Sequence, residues 1–158
     1  MLIFKAAARG IILNFDLQVK IKTSNISWVC PKCERELAKE NQTHYCARVS
    51  VDSLFKGKPA ELVLLFDKIL AEVADWTDVF VSTTPHCVVF VHHKTFLVIR
   101  PMQKVLDVKF YSLTAQTGHP VISSVLYSGK YANSIRPKTV DELTPAVFKL
   151  IYQSYLLL

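Results

Sequence analysis

Apolar residues recur at two different periods along this chain. Between positions 59 and 76 they fall at Leu62, Leu65, Phe66, Ile69, Leu70 and Val73, with Glu61, Asp67, Lys68 and Glu72 opposite. Spacing of i, i+3, i+4 with a polar far side predicts an amphipathic helix. Pro59 suits its first turn, where a missing N–H leaves nothing unpaired. From position 78 the period shortens to two. DVFVS, CVVFVHH, TFLVIR and VLDVKFYSL are β-branched and aromatic runs separated by polar breaks at 83–85, 93–94 and 101–104. Breaks this short join antiparallel neighbours, because parallel pairing needs long crossovers.

A fifth strand is expected around 121–127 or around 131–136. The stretch containing Gly129 and Asn133 has no regular pattern to place it. Toward the end, Leu143, Val147, Leu150, Ile151 and Tyr155 form a second helical stripe, and Thr139 and Glu142 have capping-box spacing. Pro145 would fall inside a helix begun at Thr139, at a cost of about 3 kcal/mol. Either a short turn precedes a helix capped by Thr144, with Pro145 at its first position, or the helix start is distorted. Residues 49–59, with Gly57 and Pro59, read as a connecting loop.

Helix, antiparallel sheet, helix is the order of an α+β domain of about five strands, with two helices packed on one face. Upstream, Ile11, Leu13, Phe15, Leu17, Val19 and Ile21 alternate with polar positions. They predict a strand that adds to a sheet edge or extends without a partner. The chain thus divides into an extension over 1–27, a cysteine-rich module over 28–50 and an α+β domain over 59–158.

Composition narrows the class. With 158 residues, 51% of them hydrophobic, the chain can bury one real core. No apolar run approaches the roughly 18 residues that span a membrane, and the first residues lack signal-peptide order, so a cytoplasmic protein is expected. Of the net +6, residues 1–58 contribute ten Lys or Arg against five Asp or Glu, and residues 59–158 nine against eight. The excess positive charge sits around the cysteine-rich segment. That suits contact with phosphates or an acidic protein, although a merely solvated face has the same composition.

The strongest chemical signal is C-P-K-C at 30–33 followed by H-Y-C at 44–46. Cys30, Cys33, His44 and Cys46 supply three thiolates and an imidazole, the set that fills a tetrahedral zinc site. With all four positions taken by protein, none remains for a catalytic water, so the zinc is expected to be structural. A module this short has little core, and metal binding would supply most of its folding free energy. A redox CxxC would need a thioredoxin-like βαβ context, absent here.

Other candidates are weaker. His92 and His93 close a predicted strand, so they are expected on opposite sheet faces or in a turn. Cys87 opens the same strand and reads as a small hydrophobe. His119 and Pro120 follow a glycine in a loop. Arg100, Lys104 and Lys109, with Phe96, Phe110 and Tyr111, could form a basic and aromatic sheet face that stacks bases and holds phosphates; such a face is also the wet side of many sheets.

The stretch WVCPKCERELAKENQTHYC and the following SLFKGKPAELVLLFDKIL resemble the amino-terminal half of proteins grouped as domain of unknown function 5655. Trp28, Cys30, Pro31, Cys33, Asn41, Gln42, His44, Cys46, Phe55, Gly57, Lys58, Leu65, Phe66 and Asp67 match that pattern. So do Phe96, the VLDVKFYSL strand, GHP at 118–120 and Gln153, Ser154 and Tyr155. The resemblance covers residues 28–156, while LYSGKYANSIRPKTVDELTPA matches poorly. It implies a zinc module joined to a small α+β domain, with no established activity. Association of related domains with nuclease-like and predicted transport proteins hints at nucleic acid.

Two classes of function follow. One is a non-catalytic binding module for nucleic acid or an acidic partner. The other is an enzyme whose pocket lies on the open sheet face, around His92, Arg100, Lys109 and His119, which with Lys104 are the candidate ligand-binding residues. A third reading is an adaptor in which zinc only docks the first 58 residues. Oligomeric state is not legible in the residues.

Overall fold

The computed structural model of the chain describes residues 28–32, 36, 37, 40, 46 and 49–158, and of 36 and 37 the backbone alone. The strand expected over 11–22 lies outside these residues. At the start, Trp28–Val29 (β1) and Glu36–Leu37 (β2) pair antiparallel, Trp28 opposite Leu37 and Val29 opposite Glu36. Cys30 therefore follows β1 directly.

Residues 49–59 are not the plain loop their Gly and Pro suggest. Val51–Phe55 is a short helix, α1. The Ser50 hydroxyl accepts the Ser53 N–H at 3.1 Å and Asp52 stands in the first turn, both favourable at a helix start. Leu54 and Phe55 are buried, and Phe55 packs at 5.0 Å on Phe66. Gly57, at φ 71°, then reverses the chain in a conformation that favours glycine. Helix α2, Ala60–Val73, follows, and Leu62, Leu65, Phe66, Ile69 and Val73 are its buried stripe, as the spacing predicts.

The sheet has six antiparallel strands: β3 (Phe80–Thr83), β4 (Val88–Val91), β5 (Thr95–Pro101), β6 (Leu106–Ser112), β7 (Ser123–Tyr127) and β8 (Lys130–Ile135). Their order is β3-β4-β5-β6-β8-β7. Both runs offered for a fifth strand are strands, and they form one hairpin. Ser128 at φ 51° and Gly129 at φ 78° make a two-residue turn with both central residues at positive φ, which matches the twist of paired strands. The hairpin inverts on docking, so β8 pairs β6 and β7 becomes the edge.

One sheet face carries the core. Val88, Phe90, Leu97, Ile99, Leu106, Val108, Phe110 and Ile135 point to it and are buried in a single cluster with α2 and the last helix. The β4–β5 register jumps so that Phe90 faces Leu97 while Val91 faces Thr95. Phe96 is the extra residue, and the bulge lets Phe96 and Leu97 both reach full burial, which strict alternation forbids.

Thr139 and Glu142 do not form a capping box. Val140–Glu142 is a 3-10 turn, and the Glu142 carboxylate accepts the Lys138 N–H at 3.0 Å. Helix α3 is Pro145–Leu157, with Thr144 extended before it and Pro145 in its first turn. It crosses β5 and β6, and its Ser154 hydroxyl bridges them. Among the described residues no helix is long and apolar enough to cross a membrane.

Candidate functional site

Three loops at one end of the sheet build a cleft of about 510 Å³, within the size range of small-ligand pockets. From α1 and the turn after it come Ser53, Lys56 and Lys58. The turn is closed by the Lys58 N–H on the Phe55 carbonyl at 3.0 Å and reversed at Gly57, so the two lysines flank the glycine. From the β3–β4 hairpin come Pro85 and His86. Thr84 organises that turn: its N–H reaches the Cys87 carbonyl at 2.8 Å, and its hydroxyl accepts the Cys87 N–H at 3.1 Å. From the β5–β6 hairpin come Arg100, Pro101, Met102 and Gln103, held by the Met102 N–H on the Val105 carbonyl at 2.9 Å. The Thr83 hydroxyl donates to the Val49 carbonyl and ties the segment before α1 to β3.

The cleft is electrostatically one-sided. Lys56, Lys58, His86 and Arg100 line it, and among the described residues no carboxylate does. Arg100 stands directly across from Asp107 in the β5–β6 register, yet Asp107 accepts from Arg136 Nε at 2.8 Å. That pair is the one ion pair among the described residues, and none of the basic side chains lining the cleft shares it. Ser53 is committed within its own helix turn, its hydroxyl donating to the Ser50 carbonyl at 2.8 Å. Bare cations facing each other in a shared cleft repel unless an anion joins them.

The five residues grouped from the sequence do not share this cleft. Arg100 lines it, and Lys104 sits in the same hairpin beside Gln103 but is not part of the lining. Lys109 lies across from Val98 on the open sheet face, His119 in the loop between β6 and β7, and His92 in the β4–β5 turn at the other end of β4. Phe96 and Phe110 are fully buried under the helices and have no face to offer a base. Tyr111 is on the open side, with Lys130 Nζ 4.7 Å from its ring centre. Sequence reasoning missed Lys56, Lys58 and His86. The K-G-K triplet and the T-T-P-H turn were visible, but nothing in their spacing says they meet.

His92 and His93 occupy a turn rather than opposite strand faces, and their rings stack at 4.1 Å. His92 in turn stacks on Tyr155 at 4.5 Å and 16°, and Tyr155 lies 5.5 Å and 24° from Tyr152. The Tyr155 hydroxyl donates to the Thr77 carbonyl at 2.9 Å. Burial of His92, then the neighbouring His93, hold its pKa below the ordinary histidine value against the opposite pull of Asp78. Its Nδ1 is buried without a partner. These rings are packed on one another and the Tyr155 hydroxyl is tied to the backbone, so they read as structure.

Of the four proposed zinc ligands, Cys33 and His44 lie outside the described residues. Cys30 is buried and Cys46 exposed, and their sulfurs are 3.4 Å apart with no disulfide between them. Two thiolates on one tetrahedral zinc sit about 3.8 Å apart, given Zn–S bonds of about 2.3 Å. Residues 16 apart in sequence are thus brought to nearly that spacing. Among the described residues, no three His, Cys, Asp or Glu side chains gather around a common point.

Comparison with known proteins gives a family described as domain of unknown function (DUF5655), matched over residues 51–157. The match takes in all three α-helices and all six strands of the larger sheet. No curated protein and no solved structure matches the chain.

Proposed function

Since the chain belongs to the domain of unknown function (DUF5655) family, we propose its role from its own geometry: a zinc-bearing, non-catalytic binding module whose basic cleft holds the phosphates of a nucleic acid. The observation that carries this reading is the convergence of Lys56, Lys58, His86 and Arg100 on one cleft with no carboxylate among the described residues that line it. Charge-assisted contacts from lysine and arginine are the usual grip on a phosphate backbone. The sequence leading into the cleft carries the same sign of charge, with ten Lys or Arg against five Asp or Glu over positions 1–58. Among the described residues no nucleophile poised beside a base lines the cleft, and Ser53 is already engaged, which favours binding over catalysis.

Zinc fits the donor set of Cys30, Cys33, His44 and Cys46, three thiolates and an imidazole, and the 3.4 Å approach of Cys30 and Cys46 supports it. Four protein ligands would make the metal structural, fixing the segment that leads into α1 and the cleft.

Titration of the protein into a fluorescein-labelled single-stranded oligonucleotide at low salt tests the proposal. A rise in anisotropy that disappears at high salt is expected. No change with either DNA or RNA at low salt refutes nucleic acid as the ligand. Saturation of the cleft by a mononucleotide with equal affinity would reassign it to small phosphorylated molecules.

A further inference from the structure

The two edges of the sheet are treated differently. Against β3 the chain lays its own residues before α1, tied by the Thr83 hydroxyl to the Val49 carbonyl. Among the described residues, edge β7 pairs only with β8, and the loop before it touches the strand once, where the Gln116 N–H donates to the Ser124 hydroxyl at 3.0 Å. Val125, Leu126 and Tyr127 are 60%, 65% and 62% exposed, although they are the kinds of residue that strands bury. Proteins blunt free edges with lysine, proline, bulges or a covering loop. The strand reads Ser-Ser-Val-Leu-Tyr, with no charge and no proline.

We propose that β7 is a self-association edge, on which a second copy of this chain pairs its own β7 antiparallel about a two-fold axis at Val125. The size pattern of the strand selects that occupant. Ser123, Val125 and Tyr127 share one face, and Ser124 and Leu126 the other. Antiparallel pairing centred on Val125 sets Tyr127 opposite Ser123 of the partner subunit, and Leu126 opposite Ser124 of the partner subunit. Each large side chain then meets a small one, and the two valines meet at the axis. No like charges are brought together in the ladder, despite a net charge of +6 on each chain. The same strand face points the same way in both copies, so the sheet continues from six strands to twelve. Pairing of this kind is isologous and closes at two, which suits a C₂ dimer rather than a fibre. The ladder is only five residues long, so the dimer is weak and concentration-dependent.

Sedimentation of the full chain from about 10 μM to about 1 mM, the range in which small interfaces associate, reads the equilibrium. Mass rising from one chain to two is expected, and Val125→Lys should hold the chain at one without lowering its melting temperature, because the side chain is exposed and at the edge. Val125→Cys should give a covalent dimer on mild oxidation in excess of the wild-type chain, whereas Tyr127→Cys should not, since its counterpart is Ser123 of the partner subunit. A monomer at every concentration overturns the proposal and leaves the edge to another segment of the chain or to a different protein. So does a dimer that survives Val125→Lys, or a Val125→Cys chain that cross-links no more than wild type.

Discussion

The hydroxyl of Ser154 on α3 accepts the backbone N–H of Tyr111 on β6 at 2.8 Å. It also donates to the Phe96 carbonyl on β5 at 2.6 Å, and it is completely buried. Regular β5–β6 pairing ends at Leu97 opposite Phe110, so the next rung would join Phe96 to Tyr111. The bulge at Phe96 opens that rung and the serine fills it. Helix and sheet are thereby fastened at the point where the sheet's own ladder fails.

Ser154→Ala should therefore cost about 1–3 kcal/mol, because it leaves a backbone donor and a backbone acceptor buried without partners. Urea unfolding monitored by circular dichroism measures this. A loss below about 0.5 kcal/mol would mean that β5 and β6 close the rung by themselves.

A second prediction concerns pH. Unfolded His92 protonates near pH 6.5, whereas the folded chain holds its pKa lower. Between those values the unfolded state binds more protons, so stability rises with pH there and is lost as pH falls below about 6.5. His93 adds like charge when protonated, and Asp78 opposes the effect without cancelling it. Melting temperature measured between pH 5 and 7.5 should decline toward acid. His92→Phe keeps a ring on Tyr155 and should flatten that decline; an unchanged slope would show that other groups set it.

Much of the domain was legible because burial is regular there. The α2 stripe and the strands β3 to β6 follow simple periods of 3.6 and 2, and Pro145 itself argued for a helix starting where α3 starts. Failures came where local chemistry overrides period. Helix α1 has five residues, too few to show a repeat, and is set by the Ser50 cap and the burial of Leu54 and Phe55. The β7–β8 turn uses Ser128 where Asn or Asp would have announced a hairpin. Consecutive Phe96 and Leu97 reach the same core through a bulge. The cleft was the least legible feature, since Lys58, His86 and Arg100 are separated by 14 or more residues and meet only when three turns fold to one end of the sheet.

The zinc proposal predicts about one equivalent of metal in protein purified without added chelator, and Cys30→Ser should reduce it below about half. Elemental analysis by mass spectrometry decides this. Less than about half an equivalent in the unmodified chain would contradict the assignment of Cys30, Cys33, His44 and Cys46.

The salt dependence of oligonucleotide binding tests the central claim most directly. Each phosphate neutralised in a single strand contributes a slope of about −0.7 to log K against log salt. Replacing Lys58 and Arg100 together by alanine removes two unpaired cations from the cleft, neither of them buried, so the fold should survive. Binding at low salt should weaken, and the slope should become shallower by about 1.4. A double variant with the affinity and slope of the unmodified chain would show that the cleft is not where the phosphates bind.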